Sequence, residues 1–191
     1  MYEDLMDKNA LLFTPRHSAR SRRMTGLGVS REGVTILRKK WTFKMRAVVT
    51  RVSSASVEID GLVTGSIDKG FLVLLGIKDG DTEADVIKLA SKVYNLRVFS
   101  DSEGKMNLNL EAVGGSLLII SQFTLYADTK SRRPGFTAAA RPDIAVPLYE
   151  LFISECKKAG FSVETGEFGA MMNVSSVNAG PVTILFDTET M

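Results

Sequence analysis

The chain has 191 residues, of which 45% are apolar and 24% are charged, a composition typical of a soluble protein with one domain and an additional segment. No run of about 18 uninterrupted apolar residues predicts a transmembrane helix, and the start of the chain lacks the apolar core of a secretory signal. Because the single cysteine, Cys156, cannot form an internal disulfide, we expect a reducing cytoplasmic compartment.

Positive charge is concentrated at the start of the chain. Of 24 Lys and Arg and 22 Asp and Glu residues, residues 1–44 contain ten and four, a net charge of +6, which leaves 14 and 18 for residues 45–191, a net charge of −4. Residues 1–44 lack helical or strand periodicity and are predicted to form a basic, disordered N-terminal extension. They could be an arm that binds nucleic acid, a transit peptide, which the nearby acidic residues disfavour, or an untranslated leader. The leader is favoured, because Met45 opens a strand pattern.

The rest of the chain begins with strand patterns. Residues with β-branched side chains alternate or cluster over 46–52 and 55–59, and Asp60-Gly61 supplies a hairpin turn before a strand over 62–67. The apolar run 71–77 is too short for a helix and suits a central strand that is buried on both faces.

Two helices are predicted. The first starts at a capping box of Thr82 and Asp85 and runs for about four turns. The second lies within 143–158, with Pro147 in or near its first turn and Gly160 placed to end it. The apolar stripes are Val86, Leu89, Ala90 and Val93 in the first helix, and Leu148, Leu151, Phe152 and Cys156 in the second.

The remaining segments indicate further strands. Short strands are predicted around 96–99 and 106–110, a strong one over 116–125, and several short ones over 161–187. Hairpins dominate and regular βαβ alternation is absent. The predicted fold class is therefore α+β: mainly antiparallel, layered or barrel-like sheets with two main helices packed on one side, in a single domain over residues 45–191.

Reactive side chains are few. His17 is the only histidine and belongs to residues 1–44, so the predicted domain has no imidazole for a Ser-His or Cys-His pair or for a metal ion. Cys156 lies on an apolar helix stripe, which is typical of a buried structural thiol. No phosphate-binding glycine motif occurs between a predicted strand and a helix. If the chain is an enzyme, its catalysis must rest on backbone donors, hydroxyl groups or groups that the substrate brings.

Segment 121–136, SQFTLYADTKSRRPGF, combines polar and basic groups after a buried strand. Ser121, Gln122 and Thr124 offer hydroxyl and amide groups beside backbone N–H groups where strand pairing stops, and such an array can hold a developing oxyanion. The basic residues that follow suit a substrate with a phosphate backbone. A solvated loop after a strand that carries Ser and Thr is the alternative interpretation.

Gly180-Pro181, within NAGPVT at 178–183, interrupts a run that otherwise indicates a strand. Proline cannot donate a backbone hydrogen bond to a neighbouring strand. Taken alone, the dipeptide indicates a turn that leads into a last strand over 182–186.

The sequences SQFTLYAD at 121–128 and NAGPVT at 178–183 resemble the two signature motifs of the D-aminoacyl-tRNA deacylases, first described as D-tyrosyl-tRNA deacylases. The resemblance covers essentially all of residues 45–191. It implies a homodimer, without metal or cofactor, that hydrolyses D-aminoacyl-tRNA, and glycyl-tRNA mischarged on tRNA-Ala, as a chiral proofreading step in translation. In this family the Gly-Pro bond is cis and enters the pocket of the other subunit, where its carbonyl groups exclude an L side chain.

The resemblance also assigns roles to residues. The catalytic pocket strand comprises Ser121, Gln122, Phe123 and Thr124. The chiral filter and its surroundings comprise Gly180, Pro181, Asn178, Arg51, which props the Gly-Pro segment, and the pocket-lining Phe168 and Met172. Because residues 45–191 are net acidic, tRNA binding would rely on the local group of Lys130, Arg132, Arg133 and Arg141. The family favours activation of water by the terminal 2′-hydroxyl of the tRNA, so Thr124 is expected to position groups rather than attack.

A second hypothesis is a non-catalytic RNA-binding or dimerisation module on the same fold, with residues 1–44 supplying affinity. A related branch of the family carries threonine before the proline. Gly180 at that position resembles the D-specific branch.

Overall fold

A long first strand organises the fold. The structure is a computed structural model that describes residues 45–191, and the predictions for residues 1–44 lie outside the described residues. Strand β1 (Arg46–Ile59) runs without interruption through the two strands predicted at 46–52 and 55–59. Its pairing with the last strand of the chain shifts in register on both sides of Val52, and both halves of β1 belong to the same sheet.

Both edges of β1 are paired with antiparallel strands. One edge pairs with β8 (Asn173–Asp187) along nearly its whole length. The other edge pairs with β3 (Gly70–Gly76) in its first half and with β2 (Leu62–Ile67) in its second. The turn from β1 to β2 has positive φ angles of 49° at Asp60 and 82° at Gly61. This is the tight hairpin that the Asp-Gly pair predicted.

The main sheet also has a parallel part. Strand β6 (Ser116–Ser121) lies parallel to β3, and β7 (Val163–Thr165) lies parallel to β6, which gives the order β2-β1-β3-β6-β7. Parallel neighbours need a crossover, and here each crossover contains one helix. At the far side β2 curls towards β7, where Gly65 allows close approach of the Thr165 carbonyl oxygen. The sheet is therefore nearly barrel-shaped, with both parallel and antiparallel pairs.

Helix α1 (Glu83–Tyr94) begins at the predicted capping box. The Asp85 carboxylate accepts the backbone N–H of Thr82 at 3.0 Å, and the Thr82 hydroxyl oxygen accepts the backbone N–H of Asp85 at 3.4 Å. These bonds satisfy amide groups that the start of a helix leaves without intrahelical partners. The capping box and the buried stripe of α1 are confirmed.

Helix α2 (Pro142–Lys158) places its internal proline deeper than expected. Pro142 occupies the first turn, where a missing N–H costs nothing, and Pro147 lies in the second turn. Pro147 has no N–H to donate to the carbonyl of Asp143, but this residue lies at the exposed start of the helix. Gly160, with φ of 94°, follows the end of the helix as predicted.

Two strand predictions were wrong in extent. The strand predicted over 116–125 ends at Ser121, after which Phe123–Tyr126 form a 3-10 helix. The segment 161–187 forms the short β7 and one long strand, β8, rather than several short strands. The two short strands predicted between the helices are present as β4 (Phe99–Ser100) and β5 (Met106–Leu108), which form a separate small sheet.

The core has two parts, one on each face of the main sheet. Both helices pack on one face, where Phe152 and Cys156 meet Leu117 and Ile119 of β6. The opposite face encloses a smaller cluster within the curled sheet, formed by Val52, Ala55, Val57, Ile67, Leu72, Leu118 and Ile120. The α+β class with two helices on one side of a barrel-like sheet is confirmed. Within residues 45–191, no helix is long and apolar enough to cross a membrane.

Candidate active site

The predicted catalytic segment lies where β6 leaves the sheet. Ser121 is the last residue of β6 and lies opposite Leu75 of β3. The backbone N–H of Gln122 donates to the Leu75 carbonyl at 2.8 Å, and the chain then turns into the 3-10 helix. Gly76 permits this turn, because a Cβ atom there would lie 3.0 Å from the Tyr126 ring and 3.1 Å from the Gln122 carbonyl oxygen.

The turn formed by residues 122–126, here called the catalytic turn, gathers polar groups at the surface. The Gln122 side-chain amide donates to the Thr124 hydroxyl oxygen at 2.6 Å. Thr124 is exposed, and its backbone N–H, in the first turn of the 3-10 helix, has no acceptor within residues 45–191. An amide, a hydroxyl group and a backbone donor thus lie together, which is the type of array that stabilises an oxyanion.

Phe168 and Met172 lie on the segment that follows β7, and each packs against one of the two core clusters. β7 pairs with β6 at Ile119, and the chain after β7 returns past this edge of the sheet. The ring of Phe168 lies 6.0 Å from that of Tyr149, whose hydroxyl donates to the Ile119 carbonyl at 2.7 Å. Met172 packs against the smaller core cluster. Phe168 and Met172 therefore pack on opposite faces of the sheet, and their assignment to the pocket stays a prediction.

The basic loop lies next to the catalytic turn. Asp128 and Gly135 pair across its base, and the ring of Phe136 packs edge-on against that of Phe123 at 5.1 Å. The exposed cations of this loop are Lys130, Arg132 and Arg133. Lys130 lies 3.5 Å from the Asp128 carboxylate, an exposed ion pair of little energetic consequence. Arg141 is also exposed, but it lies outside the loop as the N-cap residue of α2.

Gly180 and Pro181 form a bulge in β8. Two pairs frame it, Thr50 with Thr183 and Val52 with Asn178, so that β8 advances five residues while β1 advances two. The extra residues protrude from the ladder, and Gly180 and Pro181 are exposed. The Asn178 side-chain oxygen accepts the backbone N–H of Val182 at 3.0 Å and closes the base of the bulge. The peptide bond between Gly180 and Pro181 is cis, as the resemblance implied.

Arg51 lies directly against this bulge. Its Nε donates to the Ala179 carbonyl at 2.8 Å, and its Nη1 donates to the carbonyl of Val98. Gly180 has φ of +129°, and a Cβ atom on it would collide with Nη2 of Arg51. The guanidinium therefore holds the bulge from beneath.

Within one protomer the catalytic turn and the bulge are far apart. Ser121 lies level with Ala47 of β1, and Gly180 lies level with Arg51. This offset corresponds to about 13 Å along the strands, and the three strand spacings between β6 and β8 add about 14 Å across the sheet. The predicted site residues thus fall into two groups, one at the end of β6 and one around Gly180.

Two further charged residues, which the sequence analysis did not select, lie behind the catalytic turn. Arg46 donates through Nε to the Asp187 carboxylate at 2.9 Å and through Nη1 to the Leu125 carbonyl at 3.0 Å. Arg46 is simply the first residue of a strand pattern, and nothing local in the sequence marks a contact with a residue 79 positions away.

The remaining titratable groups near the core do not form a second reactive centre. Burial raises the pKa of Cys156 to about 12, so this thiol stays protonated, consistent with a structural role. Burial also raises the pKa of Asp81 to about 6. Within residues 45–191, no three His, Cys, Asp or Glu side chains lie close enough together to hold a metal ion.

Over nearly all of the described residues the chain is similar to a family of known proteins. Residues 48–187 match the family model described as D-Tyr-tRNA(Tyr) deacylase. Two relatives carry the name D-aminoacyl-tRNA deacylase. The one from Roseiflexus castenholzii is 56% identical over 145 residues, which cover 75% of this chain and 92% of the relative. The one from Thermosipho africanus is 54% identical over 146 residues, which cover 76% of this chain and 98% of the relative.

Solved structures share the fold. One described as c-Myc DNA Unwinding Element Binding Protein superposes with a TM-score of 0.70 at 36% identity, covering 74% of this chain and 97% of that chain. A second, described as a probable eukaryotic D-amino acid tRNA deacylase, superposes with a TM-score of 0.65 at 18% identity, covering 75% of this chain and 99% of that chain.

Proposed function

This chain belongs to the D-Tyr-tRNA(Tyr) deacylase family and is a D-aminoacyl-tRNA deacylase, a hydrolase of ester bonds, and we propose how it selects its substrates. It acts as a homodimer in which Gly180 and Pro181 of one subunit enter the pocket at the catalytic turn of the other. There they exclude L-aminoacyl esters. Esters of D-amino acids, and of glycine mischarged on tRNA-Ala, are hydrolysed. The activity belongs in the cytoplasm, where translation takes place.

The separation of the two groups of site residues carries this proposal. Gly180 is exposed and lies about 13 Å along and about 14 Å across the sheet from Ser121, too far for both to contact one aminoacyl group. A selective site that uses both motifs therefore needs the bulge of another copy of the chain.

A partly exposed apolar patch, formed by Val48, Leu74 and Leu185, lies midway between the two groups. Val48 of β1 lies opposite Leu74 of β3 and Leu185 of β8, so that the three side chains point to the same face of the sheet. Leu185 is 67% exposed. In a two-fold symmetric dimer an interface patch pairs with itself, and groups on opposite sides of the axis meet across it. An axis through this patch would carry the bulge of each subunit to the catalytic turn of the other.

Exclusion by backbone atoms suits discrimination between mirror images. The bulge presents main-chain groups whose position is fixed by Arg51 and by the Asn178 side chain. An L residue would direct its side chain where a D residue has only a hydrogen atom, so a rigid main-chain wall rejects the L ester by steric overlap. Glycine has no side chain to reject, which explains why glycyl esters are accepted.

The catalytic turn supplies groups for ester hydrolysis. Water gives up a proton as it adds to the ester carbonyl carbon, and the tetrahedral oxyanion then collapses. The ribose oxygen of the terminal adenosine leaves and takes up a proton, which gives a free amino acid and tRNA. The amide of Gln122, with the hydroxyl and backbone N–H of Thr124, is placed to stabilise the oxyanion. Ser121 and Phe123 shape the same strand end. Residues 45–191 contain no histidine that could activate the water, so the 2′-hydroxyl beside the ester in the substrate helps to activate it. Thr124 has a positioning role and does not attack the ester.

The basic loop is proposed to bind the phosphate backbone near the acceptor end of tRNA. Because residues 45–191 carry a net charge of −4, general attraction to RNA is weak, and local cations must supply it. The contact between Phe123 and Phe136 fixes the loop beside the catalytic turn. The proposed tRNA-binding residues are Lys130, Arg132, Arg133 and Arg141.

The first test compares deacylation of D-tyrosyl-tRNA, L-tyrosyl-tRNA and glycyl-tRNA-Ala by the full chain, with a chelator in all reactions. We expect rapid loss of the D and glycyl esters, with the L ester spared. Equal loss of D and L esters would contradict the proposed filter. Survival of every ester would favour the RNA-binding module without catalysis.

Mixed dimers test the exchange of Gly180 and Pro181 between subunits. One subunit carries Gln122→Ala and the other carries Gly180→Ala. If the filter acts across the interface, the mixed dimer contains one intact site, formed by the normal pocket of the second subunit and the normal bulge of the first. Selective D-specific activity should then return to about half that of the unmodified dimer. Activity without selectivity in the mixed dimer would show that each bulge serves its own subunit.

A further inference from the structure

Arg46 connects the catalytic turn with the end of β8. Its Nη1 donates to the Leu125 carbonyl at 3.0 Å, and its Nε donates to the Asp187 carboxylate at 2.9 Å. The guanidinium also stacks over the Tyr126 ring, with Cζ 5.0 Å from the ring centroid. One side chain thus contacts both residues that directly follow Thr124.

We propose that Arg46 is a positioning residue for ester hydrolysis, which holds the catalytic turn so that Gln122 and Thr124 keep their place in the site. This inference rests on the proposed roles of Gln122 and Thr124. Arg46 itself does not touch the substrate. It acts through the Leu125 carbonyl and the Tyr126 ring, both within the turn.

Asp187 holds Arg46 in the required direction. The two residues are directly paired at the ends of β8 and β1. One carboxylate oxygen of Asp187 accepts Arg46 Nε, and the other accepts the backbone N–H of Glu189 at 3.0 Å. The carboxylate is therefore fixed by its own chain, and its pairing with Nε leaves Nη1 directed at the turn.

The geometry requires a guanidinium rather than any positive charge. Its planar group places Nε on Asp187 and Nη1 on Leu125 at the same time, while its face covers the Tyr126 ring. A lysine at position 46 has one nitrogen at the end of a flexible chain and cannot make these interactions together. Arg46→Lys therefore keeps the charge and removes the positioning.

The test is the steady-state kinetics of the full-length Arg46→Lys and Asp187→Asn variants on D-tyrosyl-tRNA. Displacing a reacting group by about 1 Å can cost about a hundredfold in rate. We therefore expect kcat to fall by about tenfold to a hundredfold for Arg46→Lys. KM and the ratio of D to L rates should stay unchanged, because the basic loop and the Gly180 bulge are intact.

Arg97→Lys is the matched control. Arg97 is exposed and also donates through Nε to a backbone carbonyl, that of Asn107 at 2.6 Å, but it lies beside the small sheet. Its replacement should leave kcat unchanged. Folding of each variant is compared by thermal unfolding, and kinetics are measured well below the transition temperature.

A double-variant cycle separates positioning from general destabilisation. If Arg46 acts through the catalytic turn, Arg46→Lys should lower kcat far less in a Gln122→Ala background than in the normal chain. Equal effects in both backgrounds, or an unchanged kcat in a folded Arg46→Lys chain, would overturn the inference while the deacylase proposal stands. An unmodified chain that leaves D-tyrosyl-tRNA intact would overturn both.

Discussion

Replacing Gly180 with alanine tests the bulge most directly. Gly180 has φ of +129°, which side chains rarely adopt, and holding such a backbone costs on the order of 1–3 kcal/mol. The added Cβ would also collide with Nη2 of Arg51, whose Nε and Nη1 are held by carbonyl groups of Ala179 and Val98. Either the bulge turns away from Arg51 or Arg51 loses a hydrogen bond, and the exposed main-chain groups move in both cases.

The expected result is a loss of discrimination. We assume that the bulge moves until this strain is released and that the steric penalty on the L ester falls by the same amount. The ratio of D to L deacylation rates should then fall by roughly 5-fold to 150-fold, because 1.36 kcal/mol corresponds to a tenfold change in rate. The assay measures single-turnover rates on D-tyrosyl-tRNA and L-tyrosyl-tRNA at the same enzyme concentration. Single turnover isolates the chemical step from tRNA release.

Gly61→Ala is the matched control. Gly61 also has positive φ, +82°, but a Cβ atom there would have no neighbour within 4 Å. Its replacement should lower the free energy of unfolding through backbone strain and leave the ratio of D to L rates unchanged. An unchanged ratio in folded Gly180→Ala would refute the reasoning, and so would an equal change in both variants.

Three further predictions concern the interface, a buried carboxyl group and the basic loop. Leu185→Asp should dissociate the dimer and abolish selective deacylation, whereas Leu62→Asp, at a leucine that is 73% exposed at the far end of β1, should remain dimeric in sedimentation experiments. Burial raises the pKa of Asp81 from 3.8 to about 6, so ionisation of Asp81 opposes folding, and its contribution to stability, complete below about pH 4, is lost above about pH 6. Asp81→Asn lacks this ionisation, so in urea titrations only the unmodified chain should lose this stability as the pH rises. The free energy of unfolding of Asp81→Asn, relative to that of the unmodified chain, should increase by up to about 3 kcal/mol between pH 4 and pH 7.5. A pH-independent difference would contradict this. Arg133→Glu should raise KM for D-tyrosyl-tRNA and weaken its dependence on salt, whereas Lys157→Glu on α2 should change neither.

Features that depend on neighbouring residues in the chain could be predicted from the sequence. The capping box of Thr82 and Asp85 and the hairpin turn at Asp60-Gly61 are both set by contacts within a few residues, and both are present. The apolar stripe of α1 follows from its 3.6-residue period. Such local patterns were enough to predict two helices that cover a mainly antiparallel sheet.

Features set by distant parts of the chain could not be predicted in the same way. The strand prediction continued past Ser121 because the apolar pattern continues, but β3 ends at Gly76 and leaves no strand for the next residues to pair with. The parallel pairing of β6 has no local signature either, because it depends on where the helices cross. The contact of Arg46 with Leu125 joins segments that only the folded sheet brings together.

The site residues show the same division. The two motifs identified the catalytic turn and the Gly180 bulge. Only the register of the strands beside β1 shows that the turn and the bulge lie level with different residues of β1. That distance has a consequence for selectivity. If one flexible segment carried both the catalytic groups and the filter, a single loop movement could admit an L ester and hydrolyse it. Here the two parts lie on opposite sides of β1, and their relative position in the proposed dimer depends on a hydrogen-bonded sheet and a symmetric interface, neither of which deforms easily. A subunit that leaves the dimer keeps its own catalytic turn but loses the filter of its partner, so any hydrolysis by a dissociated subunit should not distinguish D from L esters. The symmetric interface is therefore as necessary for selectivity as Gly180 itself.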